Sequence, residues 1–150
     1  KMFSAITKII LLTVLLLCPI GTISAEPVGV IHNFKIIRII DGDTVVISAP
    51  FLPSPLKPEL SLRVYGVDTP EKGFRGACDL EKDLGLKATE FTKKQLESAK
   101  KIKILLLDWD KYGGRILGDV IYDNKSLRAE LIKNGFAREY FGDKKKSWCE

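Results

Sequence analysis

Between Arg63 and Glu71 the chain reads Arg-Val-Tyr-Gly-Val-Asp-Thr-Pro-Glu, which sets a guanidinium, two carboxylates and a proline-stiffened turn side by side. Up to Tyr65 the residues alternate, Leu60, Leu62 and Val64 against Ser61, Arg63 and Tyr65, as in a half-buried strand. Arg63 therefore falls on the face away from the aliphatic side chains. After Gly66 the alternation stops, and Asp68, Thr69 and Glu71 arrive in a turn. Such a set suits phosphodiester chemistry: hard cations such as Ca²⁺ take oxygen ligands, a phosphate matches the planar fork of arginine, and an attacking water needs a carboxylate base. Taken alone, the segment reads more readily as an ordinary strand end in which Asp68 caps local amides.

Other chemistries are excluded by what the chain lacks. His32 is the only histidine and stands far upstream, so Ser-His-Asp and Cys-His nucleophilic catalysis have no base. With Cys18 falling in the leader described below, Cys78, Cys149 and His32 do not make a four-ligand set for zinc. Carboxylates, arginines and a hard cation remain.

The elements that must position these groups can be read from periodicity. Phe34–Ile40 and Thr44–Ile47 are β-branched runs around Asp41-Gly42 and predict an antiparallel hairpin. Ala49–Glu59 carries four prolines and predicts a loop, with Phe51 and Leu52 either packed back on the domain or exposed. The third strand and the turn described above follow. Leu80–Lys100, with Leu80, Leu84, Ala88, Phe91, Leu96 and Ala99 as the apolar face, predicts an amphipathic helix in which Gly85 costs about 1 kcal/mol relative to alanine. Ile102–Leu107 and Arg115–Tyr122 are two further strands. Ser126–Asn134 is a short helix with Leu127, Leu131 and Ile132 inward and Gly135 at its end, and Phe136–Phe141 adds a short closing strand. The expected fold class is α+β: a five-stranded, OB-type Greek-key β-barrel with two helices.

Residues 1–25 have the layout of a secretory signal peptide, with Lys1 and Lys8, an apolar run from Ile9 to Cys18, and Ser24-Ala25 before Glu26; an uncleaved anchor is the alternative. Residues 26–150 then form one domain. Without Lys1 and Lys8 the formal charge of +5 falls to +3, which tolerates a polyanionic substrate without demonstrating one. The Lys144-Lys145-Lys146 run reads as a solvated tail. In an exported chain the remaining cysteines, Cys78 and Cys149, predict a disulfide whose loop closure contributes about 4 kcal/mol.

Three motifs in register carry a family resemblance. Asp41-Gly42-Asp43-Thr44, then Arg63 with Val67-Asp68-Thr69-Pro70-Glu71, then Asp110-Lys111-Tyr112-Gly113-Gly114-Arg115 resemble the staphylococcal nuclease (thermonuclease) family, over roughly Phe34–Tyr140. The resemblance implies Asp43 and Asp68 as carboxylate ligands of Ca²⁺, with the Thr69 carbonyl as a third. It implies Glu71 as the acid that positions or deprotonates water, and Arg63 and Arg115 as the pair gripping the phosphate. Lys111, Tyr112 and Tyr140 fall near the nucleotide. The implied activity is Ca²⁺-dependent, sugar-nonspecific hydrolysis of DNA and RNA, leaving 3′-phosphates. A non-catalytic OB-fold nucleic-acid-binding module is the alternative.

Two departures stand out. The family's Tyr-Gly-Arg is here Tyr-Gly-Gly-Arg, and the longer turn is expected to absorb the extra glycine and leave Arg115 in place. The long C-terminal helix of the type member is missing after Tyr140, and the cysteine bridge is expected to compensate. The chain is expected to be an exported monomer, periplasmic or secreted, without a stable protein partner and touching a membrane only through its leader before cleavage.

Overall fold

The β-branched run Thr44-Val45-Val46-Ile47 becomes a strand that is buried along its whole length up to Ser48. In the computed structural model, which describes residues 29–150, it is one of nine strands. The leader expected at 1–25 lies outside the described residues. In chain order the elements are β1 (Val30–His32), β2 (Ile36–Asp41), β3 (Thr44–Ser48), β4 (Glu59–Val64), β5 (Val67–Asp68), α1 (Asp79–Ser98), β6 (Ile102–Trp109), β7 (Arg115–Tyr122), β8 (Lys125–Ser126), α2 (Leu127–Lys133) and β9 (Arg138–Glu139). No helix among the described residues is long and apolar enough to cross a membrane.

The class is α+β with two helices, but the expected five-stranded barrel is not formed. The main sheet is open and mixed, in the order β1-β6-β7-β4-β3-β2, with β8 on β7 and only β4 and β7 parallel. A barrel needs its first and last strands to pair. Here the outer strands are β1, which pairs with β6, and β2, which pairs with β3, so they remain opposite edges of the path; the strand expected over Phe34–Ile40 forms as Ile36–Asp41. The lead-in before Phe34, which has no periodicity, supplies β1. β5 and β9 form a separate two-stranded sheet, so the closing strand expected over Phe136–Phe141 shrinks to Arg138–Glu139.

The core lies on one face of the main sheet. Val45, Ile47, Leu62, Val64, Ile104 and Val120 point into it, and Leu127 and Leu131 of α2 close it from outside. Gly135, at φ 75°, supplies the left-handed residue that ends α2. The proline-rich loop leaves Phe51 half-exposed, its ring tilted against Phe34 at 5.5 Å.

Helix α1 buries Ala88 and Leu96 of its expected apolar face, with Phe91 and Ala99 packed against the core, and adds residues that the periodicity did not include. Glu81, Gly85, Ala88, Thr92 and Leu96 turn inward, whereas Leu80 is exposed. Small residues on that face let backbone approach closely. A Cβ built on Gly85 would stand 2.6 Å from the carbonyl carbon of Glu71 and 2.8 Å from the Lys72 nitrogen. We expect Gly85→Ala to lower Tm, because backbone overpacking costs about 1–3 kcal/mol and the helix-propensity gain returns only about 1 kcal/mol. A thermal melt checks this; an unchanged or raised Tm contradicts the close approach.

Candidate active site

The β2–β3 turn is clamped from two sides. The Thr92 hydroxyl of α1 donates to the Gly42 carbonyl at 2.7 Å. A Cβ on Gly42 would meet Ala88 Cβ at 2.9 Å and Thr69 Cγ2 at 3.3 Å, so only glycine lets the turn lie between the helix and the segment after β5. Asp43, next in the turn, is 2% exposed. Its Oδ1 accepts from the Thr44 hydroxyl at 2.9 Å, and Arg63 Nη2 is 3.1 Å from Oδ2. Pairing of Thr44 opposite Arg63 across β3 and β4 fixes that meeting.

Burial pushes the Asp43 carboxyl up to about 6; the Arg63 charge opposes the shift and Asp41 adds to it. Because the folded pKa is raised, the folded state holds the proton more tightly, and stability falls as pH rises from the ordinary carboxylate range through about 6. Asp43→Asn should therefore raise Tm in chelator at pH 7.5, with the gain vanishing below about pH 4. Melts of both proteins across that range check it; a gain that is constant with pH contradicts the assignment.

Arg63 and Arg115 meet through the parallel pair of strands. Ser61 of β4 lies opposite Arg115 of β7, so Arg63, two residues on, shares its sheet face. Arg115 Nε donates to Asp110 Oδ2 at 2.8 Å, and Asp110 Oδ1 accepts from the Tyr112 amide at 3.2 Å. Burial raises the Asp110 pKa, but the Arg115 hydrogen bond, the Tyr112 amide and the Arg115 and Arg63 charges outweigh it and hold the carboxyl below its usual range. Between them the loop turns through Gly113 and Gly114 at φ 72° and 67°, so the added glycine is taken up as a second left-handed residue.

A cleft of about 580 Å³ gathers Arg63, Glu71, Arg115, Lys111, Tyr112 and Tyr140 along one wall system. These are the six residues expected to act on phosphate, water or nucleotide. Tyr112 is largely exposed, with the Lys111 ammonium 4.9 Å from its ring centre. The Glu71 amide donates to Glu81 Oε1 at 3.3 Å, and Arg75 Nε lies 3.3 Å from Glu71 Oε2 while its Nη2 reaches Asp41 Oδ2 at 3.2 Å.

The residues expected to hold a cation lie outside that cleft. Asp68, at the end of β5, is 4% exposed and lines a neighbouring cavity that shares Tyr140 and Phe141 with the first. Thr69 is buried beside Gly42. Among the described residues no three His, Cys, Asp or Glu side chains come together as a ready metal cluster. Asp41 Oδ1 and Asp68 Oδ1 are nevertheless buried without a hydrogen-bond partner. Cys78 and Cys149 are joined, with Cα atoms 6.0 Å apart, as expected from the cysteine count.

Four residues at the site escaped the sequence reading. Asp110 and Arg75 had local signals, five residues before Arg115 and four after Glu71. Lys145 and Trp148 had none, since both reach back to Asp68 from the far end of the chain. The lysine run is thus not a solvated tail throughout: Lys145 is tied down.

Comparison with known proteins places these residues in a family. The chain is 34% identical over 110 residues to Endonuclease YhcR of Bacillus subtilis (strain 168), a match covering 69% of this chain and 8% of that protein. It is 32% identical over 111 residues to Thermonuclease of Staphylococcus hyicus, covering 73% of this chain and 60% of that protein. It therefore spans less than two thirds of either relative. The family described as Staphylococcal nuclease homologue matches residues 61–148, which contain Arg63, Asp68, Glu71 and Arg115. With more than half its length matched in this way, the chain belongs to the staphylococcal nuclease homologue family.

Proposed function

We propose that the protein is a nuclease that hydrolyses phosphodiester bonds of DNA and RNA without regard to the sugar, and that it requires Ca²⁺. The observation that carries this reading is that two guanidiniums from different strands, each steadied by a buried carboxylate, share one cleft with Glu71. Arg63 and Arg115 keep N–H donors beyond those given to Asp43 and Asp110. Aimed at one diester, they bind the charge that grows on the equatorial oxygens during displacement. Glu71, oriented by Arg75, takes a proton from the attacking water as the P–O5′ bond breaks, and the 5′-oxygen takes a proton from solvent, leaving a 3′-phosphate and a 5′-hydroxyl. Lys111, Tyr112 and Tyr140 hold the nucleotide on either side.

The donor set fits a hard cation. Asp43 and Asp68 are deeply buried carboxylates, the Thr69 carbonyl follows Asp68 directly in the chain, and Asp68 Oδ1 has the Lys145 ammonium beside it rather than a hydrogen-bond donor. Calcium bound there supplies positive charge to the phosphate and polarises a water. The Cys78–Cys149 bridge suits an oxidising compartment, which supports export.

Single-stranded DNA and RNA incubated with the protein should be cut with Ca²⁺ and left intact with chelator. Equal cleavage in both would remove the metal from the account. Salt-sensitive binding without any cleavage would establish a non-catalytic binding module instead.

A further inference from the structure

Asp68 is held entirely by the C-terminal segment. Trp148 Nε1 donates to Oδ2 at 3.1 Å, and Lys145 Nζ stands 2.6 Å from Oδ1. Three contacts lash the segment down: the Cys78–Cys149 bridge, the Arg138 guanidinium 3.8 Å over the Trp148 ring, and Arg138 Nη1 donating to the Ser147 carbonyl at 2.8 Å. Trp148 is in consequence 8% exposed, close as it is to Glu150.

The two contacts on Asp68 differ in kind. The indole N–H is a neutral donor on a buried, clamped ring, so it fixes the carboxylate without cancelling its charge. Lys145 is the reverse. Its side chain is 47% exposed, and its ammonium meets Oδ1 as a charge rather than in hydrogen-bond geometry. A compact ammonium on a flexible stem can leave, since its hydration in water repays the loss of the pair. A divalent ion at the same oxygen brings twice the charge. Without either, a carboxylate buried to this depth would stand unpaired, which is costly.

We propose that Trp148 is a positioning residue that orients Asp68, and that Lys145 is a resident counter-cation that an incoming divalent cation displaces from Oδ1. This rests on the reading of Asp68 as a cation ligand. The displaced ammonium is left at the rim of the cleft holding Arg63 and Arg115, 5.7 Å over the Tyr140 ring in its present position, where it faces the nucleic acid. Cation binding and substrate binding are coupled in this arrangement: the first frees a positive charge for the second.

The test is calorimetric titration of Ca²⁺ alone, with no nucleic acid, into the full chain and into Lys145→Met, Lys145→Arg, Trp148→Phe and Asp68→Asn at pH 7.5. Lys145→Met should bind about two- to fivefold tighter than the wild type, the value of an ion pair with one exposed partner, and Lys145→Arg should stay near wild type. Trp148→Phe should bind weaker, and in a Trp109→Phe background the Trp148 fluorescence should change on titration. Asp68-dependent binding whose affinity is the same or lower in Lys145→Met overturns the displacement and leaves the calcium reading standing. Unaltered affinity in a folded Trp148→Phe overturns the positioning role. Absence of Asp68-dependent binding in every protein overturns the proposal and the calcium reading together.

Discussion

Replacing Arg115 with alanine is expected to lower kcat on single-stranded DNA by about 10²–10³-fold, the usual cost of removing one donor aimed at developing charge. Arg115 opens β7 with its guanidinium turned into the cleft, and its Nε and Nη2 both lean on Asp110 Oδ2. That anchoring settles the orientation before substrate arrives, so little rotamer entropy is lost on binding the phosphate. The alanine variant also leaves Asp110 buried without its partner, which adds a stability loss. Arg115→Lys separates the two effects, because it keeps the charge beside Asp110 and loses the planar fork. Its stability should stay near wild type while its turnover remains well below it. Single-turnover kinetics at saturating Ca²⁺, with melts alongside, measure both; an alanine variant within a factor of about three of wild type contradicts the role.

Glu71→Gln is the second large effect, a fall in kcat of about 10²–10⁴-fold, as for loss of a general base. Glutamine keeps the size of the side chain, and the Glu71 amide still donates to Glu81. The fold is therefore preserved. Arg75 loses a charged partner at Glu71 but retains Asp41. Ca²⁺ affinity should stay within a few-fold of wild type, since Asp43 and Asp68 are untouched. A Glu71→Gln protein of normal turnover would reduce the site to a calcium-stabilised scaffold.

How far the sequence could be read depended on whether the cause was local. Strand β4 follows from the alternation of Leu60, Leu62 and Val64, and Leu62 and Val64 are more buried than Arg63 between them. Register carried the motifs together, because pairing Thr44 with Arg63 and Ser61 with Arg115 converts three sequence motifs into neighbours. Closure of the sheet was not local. It turned on β1, formed from a lead-in without periodicity, pairing with β6 at the end of the path opposite β2. Helix α1 shows a similar limit. Its apolar periodicity included Ala88, Phe91, Leu96 and Ala99, which do pack inward, but Leu80 is exposed, and burial of Gly85 follows from the close approach of the Glu71 backbone, which periodicity does not show. Trp148 and Lys145 act over a separation that only the cysteine pairing hinted at.

If Arg63 and Arg115 pull on the same diester, they act as one unit. The most direct measurement is kcat for wild type, Arg63→Ala, Arg115→Ala and the double variant, at saturating Ca²⁺ and substrate. Groups that act as a unit are strongly non-additive, so the double variant should fall little below the slower single one. Losses that simply multiply, or a single variant that turns over like the wild type, would contradict it.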